Sequence, residues 1–163
     1  MKLAKKREVT FLLQDMSFLF YKVFSQRLEA LGVTRSESRT LVVLSGNQGV
    51  KQAELADRLD LTAITVGPLI DRLEKLEAVE RRADPADRRS KLLFLTAKGD
   101  QLVDQVCTAE IALSAEINSL AGLGSDEVKN YIAYSAAIHG ALRSLVNQSG
   151  ELQDRVKRGS NAN

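Results

Sequence analysis

Arg81-Arg82-Ala83-Asp84-Pro85-Ala86-Asp87-Arg88-Arg89-Ser90-Lys91-Leu92-Leu93-Phe94-Leu95-Thr96 reads as a two-stranded hairpin with a basic tip. Val79, Arg81 and Ala83 alternate with Glu80, Arg82 and Asp84, the period of a strand whose two faces differ. Leu92 to Leu95 is an apolar run that suits the partner strand. Asp84-Pro85 and Asp87 between them are turn chemistry, because Pro fixes φ and Asp side chains accept from nearby backbone N–H groups. Arg81, Arg82, Arg88, Arg89 and Lys91 crowd this ribbon. A polyphosphate is one natural partner for such a cluster. A solvated loop, neutralised by Asp84 and Asp87, is the other reading, and the hairpin alone does not separate them.

The chain has 163 residues, enough for one domain with a real core or for two small lobes sharing one. A hydrophobic fraction of 44% and a charged fraction of 27% are ordinary for a globular protein. With 5% aromatic residues, no Trp and two Pro, helices are favoured over a β-sandwich. The formal net charge is only +2, so any nucleic-acid role rests on local clustering. No run approaches the ~20 apolar residues that span a bilayer. The basic start, Met1 to Glu8, is followed by no long apolar segment or cleavage site, so a cytoplasmic protein without a membrane partner is expected. Cys107 is the only Cys, which rules out an intrachain disulfide and fits a reducing compartment. With His139 as the only His, a conventional zinc site within one chain is excluded. There is no nucleophile–base pair, metal cluster or phosphate loop, so neither an enzyme nor a cofactor is expected.

Working outward, apolar residues spaced by three and four predict a helix over about 9–31, ended by Gly32. Thr34-Arg35-Ser36-Glu37 is a capping box that opens a second helix to about Ser45. A short helix over 52–59, a turn at Asp60-Leu61-Thr62 and a helix to about Leu76 have the lengths of a helix-turn-helix. An ordinary helical hairpin shares that pattern. Pro68 constrains the last of these helices. With Thr62 as the cap it lies six residues in and removes a backbone bond, at about 3 kcal/mol. With Thr65 as the cap it falls where the amide has no partner. A loosened, 3₁₀-like first turn between Thr62 and Gly67 is therefore expected. After the hairpin, Thr96 caps a helix over about 97–120, Gly122 and Gly124 end it, and Ser125 caps a last helix that reaches Val146.

In this order the chain resembles the MarR family of winged helix-turn-helix regulators. The residues that carry the resemblance are Gln52-Ala53-Glu54-Leu55-Ala56, Leu69-Ile70-Asp71-Arg72-Leu73-Glu74 and Val79-Glu80-Arg81-Arg82, then Asp84-x-x-Asp87-Arg88-Arg89 followed by Leu95-Thr96. It runs from about Phe11 to Val146. Four positions depart from the family pattern. Lys51 stands where Ser or Thr usually caps a helix, and Glu77 where Gly is usual. Ser38 stands where relatives often carry a large aromatic, and Pro68 where some carry a polar residue facing the major groove.

The resemblance implies a mainly α fold with a small two- or three-stranded β-wing and a helical dimerisation region. Residues 33–96 form the winged helix-turn-helix lobe, 1–32 and 97–148 the dimerisation helices, and 149–163 a flexible polar tail. The sequence agrees on its own terms, since the first and last two helices carry more apolar surface than one lobe buries. A homodimer would set two recognition helices in successive major grooves, about 34 Å apart, on a pseudo-palindromic operator in double-stranded DNA. A repressor relieved by a small aromatic or acidic effector is expected, with affinity falling steeply as salt rises.

Thr62, Ala63 and Thr65 are the candidates for base-edge contacts, with capping as the competing role of the threonines. Gln52, Ser36 and Ser38 lie at helix starts, where amide-rich termini attract phosphate. Arg88 matches the family's wing-tip arginine that enters the minor groove. Asp87 orients it, and Arg89 contacts backbone or braces the wing through Asp84. Arg72 reaches phosphate or forms an exposed intrahelical pair. Phe11, Phe18, Tyr21 and Ser38, with Phe20 and Phe24 nearby, are an effector-pocket set that ordinary core packing would equally explain. Cys107 is read as buried and inert, and His139 as structural. The alternative to a DNA-binding regulator is a helical dimeric interaction module that has lost specific DNA binding. Lys51 and Pro68 give it weight and the Arg88-Arg89 tip opposes it.

Overall fold

A computed structural model describes residues 2–87 and 89–160, with side chains over 8–87 and 89–148. Among these residues the element order is α1 (Lys2–Ala30), α2 (Arg35–Ser45), β1 (Val50–Lys51), α3 (Gln52–Leu59), α4 (Ala63–Lys75), β2 (Val79–Ala83), β3 (Lys91–Leu95), α5 (Ala97–Leu120) and α6 (Ser125–Ser160). The fold is mainly helical with one small sheet, as the sequence implies. The chain divides into two compact units, Met1–Leu113 and Ser114–Asn163. Among the described residues no helix is long and apolar enough to cross a membrane.

In the first unit, local chemistry closes each junction. Gly32, at φ 73°, ends α1, and the Val33 amide reaches back to the Leu28 carbonyl at 3.2 Å. Only a residue tolerant of left-handed backbone makes that reversal cheaply. The expected capping box then opens α2: the Glu37 amide donates to Thr34 Oγ1 at 3.3 Å, and Thr34 N donates to Glu37 Oε2 at 2.7 Å. Asp60 ends α3 in the left-handed conformation, with the Leu61 amide bonded to the Ala56 carbonyl. Thr62, two residues on, is extended and caps α4 through the Thr65 amide. The helix-turn-helix turn is therefore as short as two complete caps allow.

The first turn of α4 differs from expectation. Thr62 caps and the helix is regular from Ala63, so Pro68 lies inside it. Pro68 withholds the amide that would bond the Ile64 carbonyl. Both residues are exposed, so water can serve the freed carbonyl, and no 3₁₀ turn is needed. At the far end Glu77 takes φ 58°, and the Ala78 amide bonds the Leu73 carbonyl at 2.9 Å. Glu77 thus adopts the left-handed geometry usually left to Gly.

The sheet has order β1-β3-β2 and is antiparallel throughout. Val79 faces Leu95 and Ala83 faces Lys91, which places the wing's turn at residues 84–90. β1 pairs Val50 with Leu93. The core gathers one face of each element: Phe24 and Leu28, Leu41 and Leu44, Leu55 and Leu59, Val66, Ile70 and Leu73, Leu93 and Leu95, then Val106 and Leu113. Thr96 starts α5, its hydroxyl accepting from the Gly99 amide at 3.0 Å while donating to the Glu77 carbonyl. A Cβ on Gly99 would lie 2.0 Å from the Ala78 carbonyl oxygen, so this helix start tolerates no side chain there. Cys107 is half-buried on α5, where full burial was expected.

In α1, Val9, Phe11, Leu12, Leu13, Met16, Phe18, Leu19 and Val23 are all exposed. Gly122, at φ 68°, ends α5 in the second unit. Val128 N bonds Gly124 O at 3.0 Å, so Gly124 holds the cap position expected of Ser125, which is already helical. Tyr131, Ile132, Tyr134, Ile138, Leu142 and Val146 are exposed along α6, and His139 is exposed too, not part of a core. The backbone of α6 continues to Ser160, into the stretch assigned to a polar tail, while residues 161–163 and the side chains beyond 148 lie outside the described residues.

Candidate nucleic-acid interface

The turn between α3 and α4 leaves the first two turns of α4 exposed on one side while Val66, Ile70 and Leu73 bury the other. Thr62 and Thr65 share a hydroxyl–hydroxyl bond of 2.8 Å, so capping and surface display coincide in one pair. Ala63 is exposed beside them. Ile64, which the sequence did not single out, is 88% exposed. No local rule marks that position, because its exposure follows from which face α4 turns inward.

The wing is built at its base and turn by carboxylates. Asp84 Oδ1 accepts from the Ala86 amide at 2.9 Å, and Asp87 Oδ1 accepts from the Arg89 amide at 3.0 Å. The Asp84 amide donates to the Ser90 carbonyl at 3.2 Å and closes the loop. Asp84 is braced by Lys51, with Nζ 3.5 Å from Oδ2, rather than by Arg89. Lys51 makes no capping bond to α3, so the lost Ser or Thr cap is replaced by a tie to the wing. Arg89 and Lys91 are exposed, and Arg88 lies outside the described residues.

The basic cluster is less available than its sequence implies. The Arg81 guanidinium is held by Glu74, by Asp71 at 2.8 Å and by the Gln52 side-chain oxygen at 3.3 Å. That residue ties the wing to α4 and α3. Arg82 pairs with Glu80 and stacks over the Phe94 ring, 4.3 Å from its centroid. Gln52 is engaged on its other side too, donating to the Ala63 carbonyl at 3.3 Å.

Arg72 does not form the intrahelical pair that was one of its two expected roles. Its Nε lies 2.7 Å from Glu37 Oε1, across from α4 to α2. Glu37 is 2% exposed, and one carboxylate therefore caps α2 with one oxygen and anchors α4 with the other. Its cap role was legible in the sequence and its bridge was not. Ser36 is exposed at the start of α2. Ser38 is buried, and its hydroxyl donates to the Arg35 carbonyl at 2.9 Å.

The proposed pocket residues lie along α1 and, for Ser38, in the first turn of α2. Phe11 and Phe18 are 64% and 63% exposed on α1. Tyr21 lies under Arg35, whose guanidinium carbon is 3.1 Å from the ring centroid. Phe24 is buried and Phe20 packs on the core, which is the ordinary reading of those two aromatics.

A family model described as MarR family matches residues 31–90. The Bacillus subtilis HTH-type transcriptional repressor MdtR is 31% identical over 104 residues, which are 62% of this chain and 67% of that protein. A second B. subtilis protein, the HTH-type transcriptional regulator YsmB, is 42% identical over 55 residues, 34% of this chain and only 38% of that relative. Among solved structures, a mutant of S. aureus MepR bound to an oligodeoxyribonucleotide is 27% identical, covers 82% of this chain and 97% of its own, and superposes with a TM-score of 0.59.

Proposed function

This chain belongs to the MarR family of transcriptional regulators, which are not enzymes, and from that premise we propose a homodimeric, cytoplasmic repressor that binds a pseudo-palindromic site in double-stranded DNA. The observation that carries this reading is the exposed N-terminal half of α4, presented by a doubly capped turn beside a wing pinned to the same lobe. Thr62, Ala63 and Thr65 face the major groove, Ser36 meets phosphate, and Arg88 and Arg89 work from the wing. Ser38, Gln52, Arg72, Asp84 and Asp87 hold the lobe in shape. The MepR complex with an oligodeoxyribonucleotide supports the DNA partner, and the name of MdtR supports repression.

The apolar side chains exposed along α1 and α6 support a homodimer through 1–32 and 97–148, because surface of that extent is stable in water only when covered. Release by a small aromatic or acidic effector rests on the family resemblance and on the Tyr21–Arg35 stack at the start of the lobe. The interaction-module alternative drew its weight from Lys51 and Pro68. Both are accommodated within a regular helix pair, so nothing at those positions favours it.

The full chain, mixed with sheared genomic DNA and recovered by immunoprecipitation, should enrich discrete fragments with a two-fold repeat, and sedimentation should give twice the chain mass. Uniform recovery of all fragments at moderate salt would defeat the reading.

A further inference from the structure

We propose that α4 reads its site chiefly through thymine C5-methyl groups, with Ile64 as the specificity-determining residue and Pro68 beside it. The inference rests on the DNA-binding reading above and adds what that helix discriminates.

Polar readers are missing where the groove would be met. Ala63-Ile64-Thr65-Val66-Gly67-Pro68-Leu69-Ile70 contains no charged, amide or imidazole side chain. Bidentate recognition of guanine takes Arg or Lys, that of adenine takes Asn or Gln, and cytosine is met by a carboxylate. The next residues are already committed, Asp71 to Arg81 and Arg72 to Glu37. Gln52, the nearest amide, is bonded to Ala63 and Arg81.

Thr62 and Thr65 bond to each other at 2.8 Å, and the Thr62 oxygen also accepts from the Thr65 amide at 3.3 Å. Whichever hydroxyl donates, the pair retains a single free hydrogen. That hydrogen, with oxygens that accept from adenine and cytosine amino groups alike, distinguishes few base pairs.

What α4 does present is apolar. Ile64 is 88% exposed, whereas Val66, Ile70 and Leu73 on the same helix are fully buried. Pro68 is also exposed, one turn further on. Residues at i and i+4 have Cβ atoms about 5–6 Å apart, so the two form a short apolar ridge. In the major groove the thymine methyl is the apolar group that distinguishes one base from the others, which show donors or acceptors.

The test replaces thymine with uracil, which deletes the methyl and keeps every hydrogen-bonding group. A duplex is recovered with the full-length protein from a random-sequence pool and remade with deoxyuridine at single positions. Affinity is read by fluorescence anisotropy at fixed salt. One or two thymines in each half-site should lose roughly fourfold in affinity on replacement, the value of one buried methyl group. Ile64→Ala should bind the two duplexes nearly alike, and as an exposed change to a strong helix former it should leave thermal unfolding in place. Equal affinity of the wild-type protein for thymine and uracil at every position overturns the inference while leaving DNA binding intact. Full discrimination by Ile64→Ala overturns the assignment to that residue. Recovery of no duplex at all overturns the DNA-binding reading, and the inference with it.

Discussion

Lys51 Nζ lies 3.5 Å from Asp84 Oδ2, joining the residue that precedes α3 to the one that follows β2. Asp84 also takes the Ala86 amide, so it holds the wing both from within and from the helix pair. Asp84→Ala removes both contacts and should cost about 1.5–3 kcal/mol, the range for a hydrogen bond to a charged group. Asp84→Asn keeps an acceptor for the turn and gives up only a half-exposed ion pair, a loss under about 1 kcal/mol. Urea denaturation at one protein concentration separates them. Equal losses would show that the Ala86 bond contributes nothing.

Glu77 occupies left-handed backbone that costs a residue with a Cβ about 1–2 kcal/mol. Its side chain returns only an exposed pair with Lys98 at 3.3 Å. Glu77→Gly should therefore stabilise the chain by about 1 kcal/mol, read as a higher urea midpoint with an unchanged slope. Glu77→Val should lower it. A fall on replacement by Gly would refute the strain assigned to this position.

The Glu37–Arg72 bridge is buried at the carboxylate and more than half exposed at the guanidinium. Arg72→Ala leaves a carboxylate oxygen without its partner inside the lobe, and a loss of about 1–3 kcal/mol is expected after allowing for exposure of the arginine. Adding Glu37→Gln should cost less than the two single changes summed, by roughly 1 kcal/mol, since contacting residues couple. Strict additivity in a double-mutant cycle would mean the two act independently.

Pro68→Ala restores an amide opposite the Ile64 carbonyl in a helix that is otherwise regular. The gain should be about 1–3 kcal/mol, below the full helix-interior penalty because water already serves that carbonyl. Hydrogen exchange across α4 should slow. If exchange is unaltered, the proline imposes no burden on this helix.

Much of the lobe was legible because its rules are local. The Thr34–Glu37 capping box, the Thr96 cap and the Asp84 and Asp87 turn bonds each act over two or three residues, and all are found. Two-residue β1 is too short to alternate and left no signal. The partners of Arg72, Arg81 and Lys51 come from other elements, so their charge was visible and their engagement was not. Pro68 misled for a related reason. Its cost depends on whether the freed carbonyl meets water, which only the packed face of α4 decides. Ile64 was passed over because an apolar residue in a helix reads as core until the inward face is known.

Lys51, Arg72, Arg81 and Arg82 are all held by carboxylates of their own lobe. Attraction to DNA of arbitrary sequence comes from cations that displace condensed counterions, and compensated ones displace few. Exposed cations such as Arg89 and Lys91 are left mainly at the wing, so affinity should fall with salt less steeply than the sequence implies. A DNA-binding protein built this way loses less of its population to the vast excess of unrelated sites on a chromosome. It would also slide poorly, reaching an operator by three-dimensional collision more than by scanning. Low copy number would then suffice to keep a site occupied, at the expense of slower recapture after each dissociation.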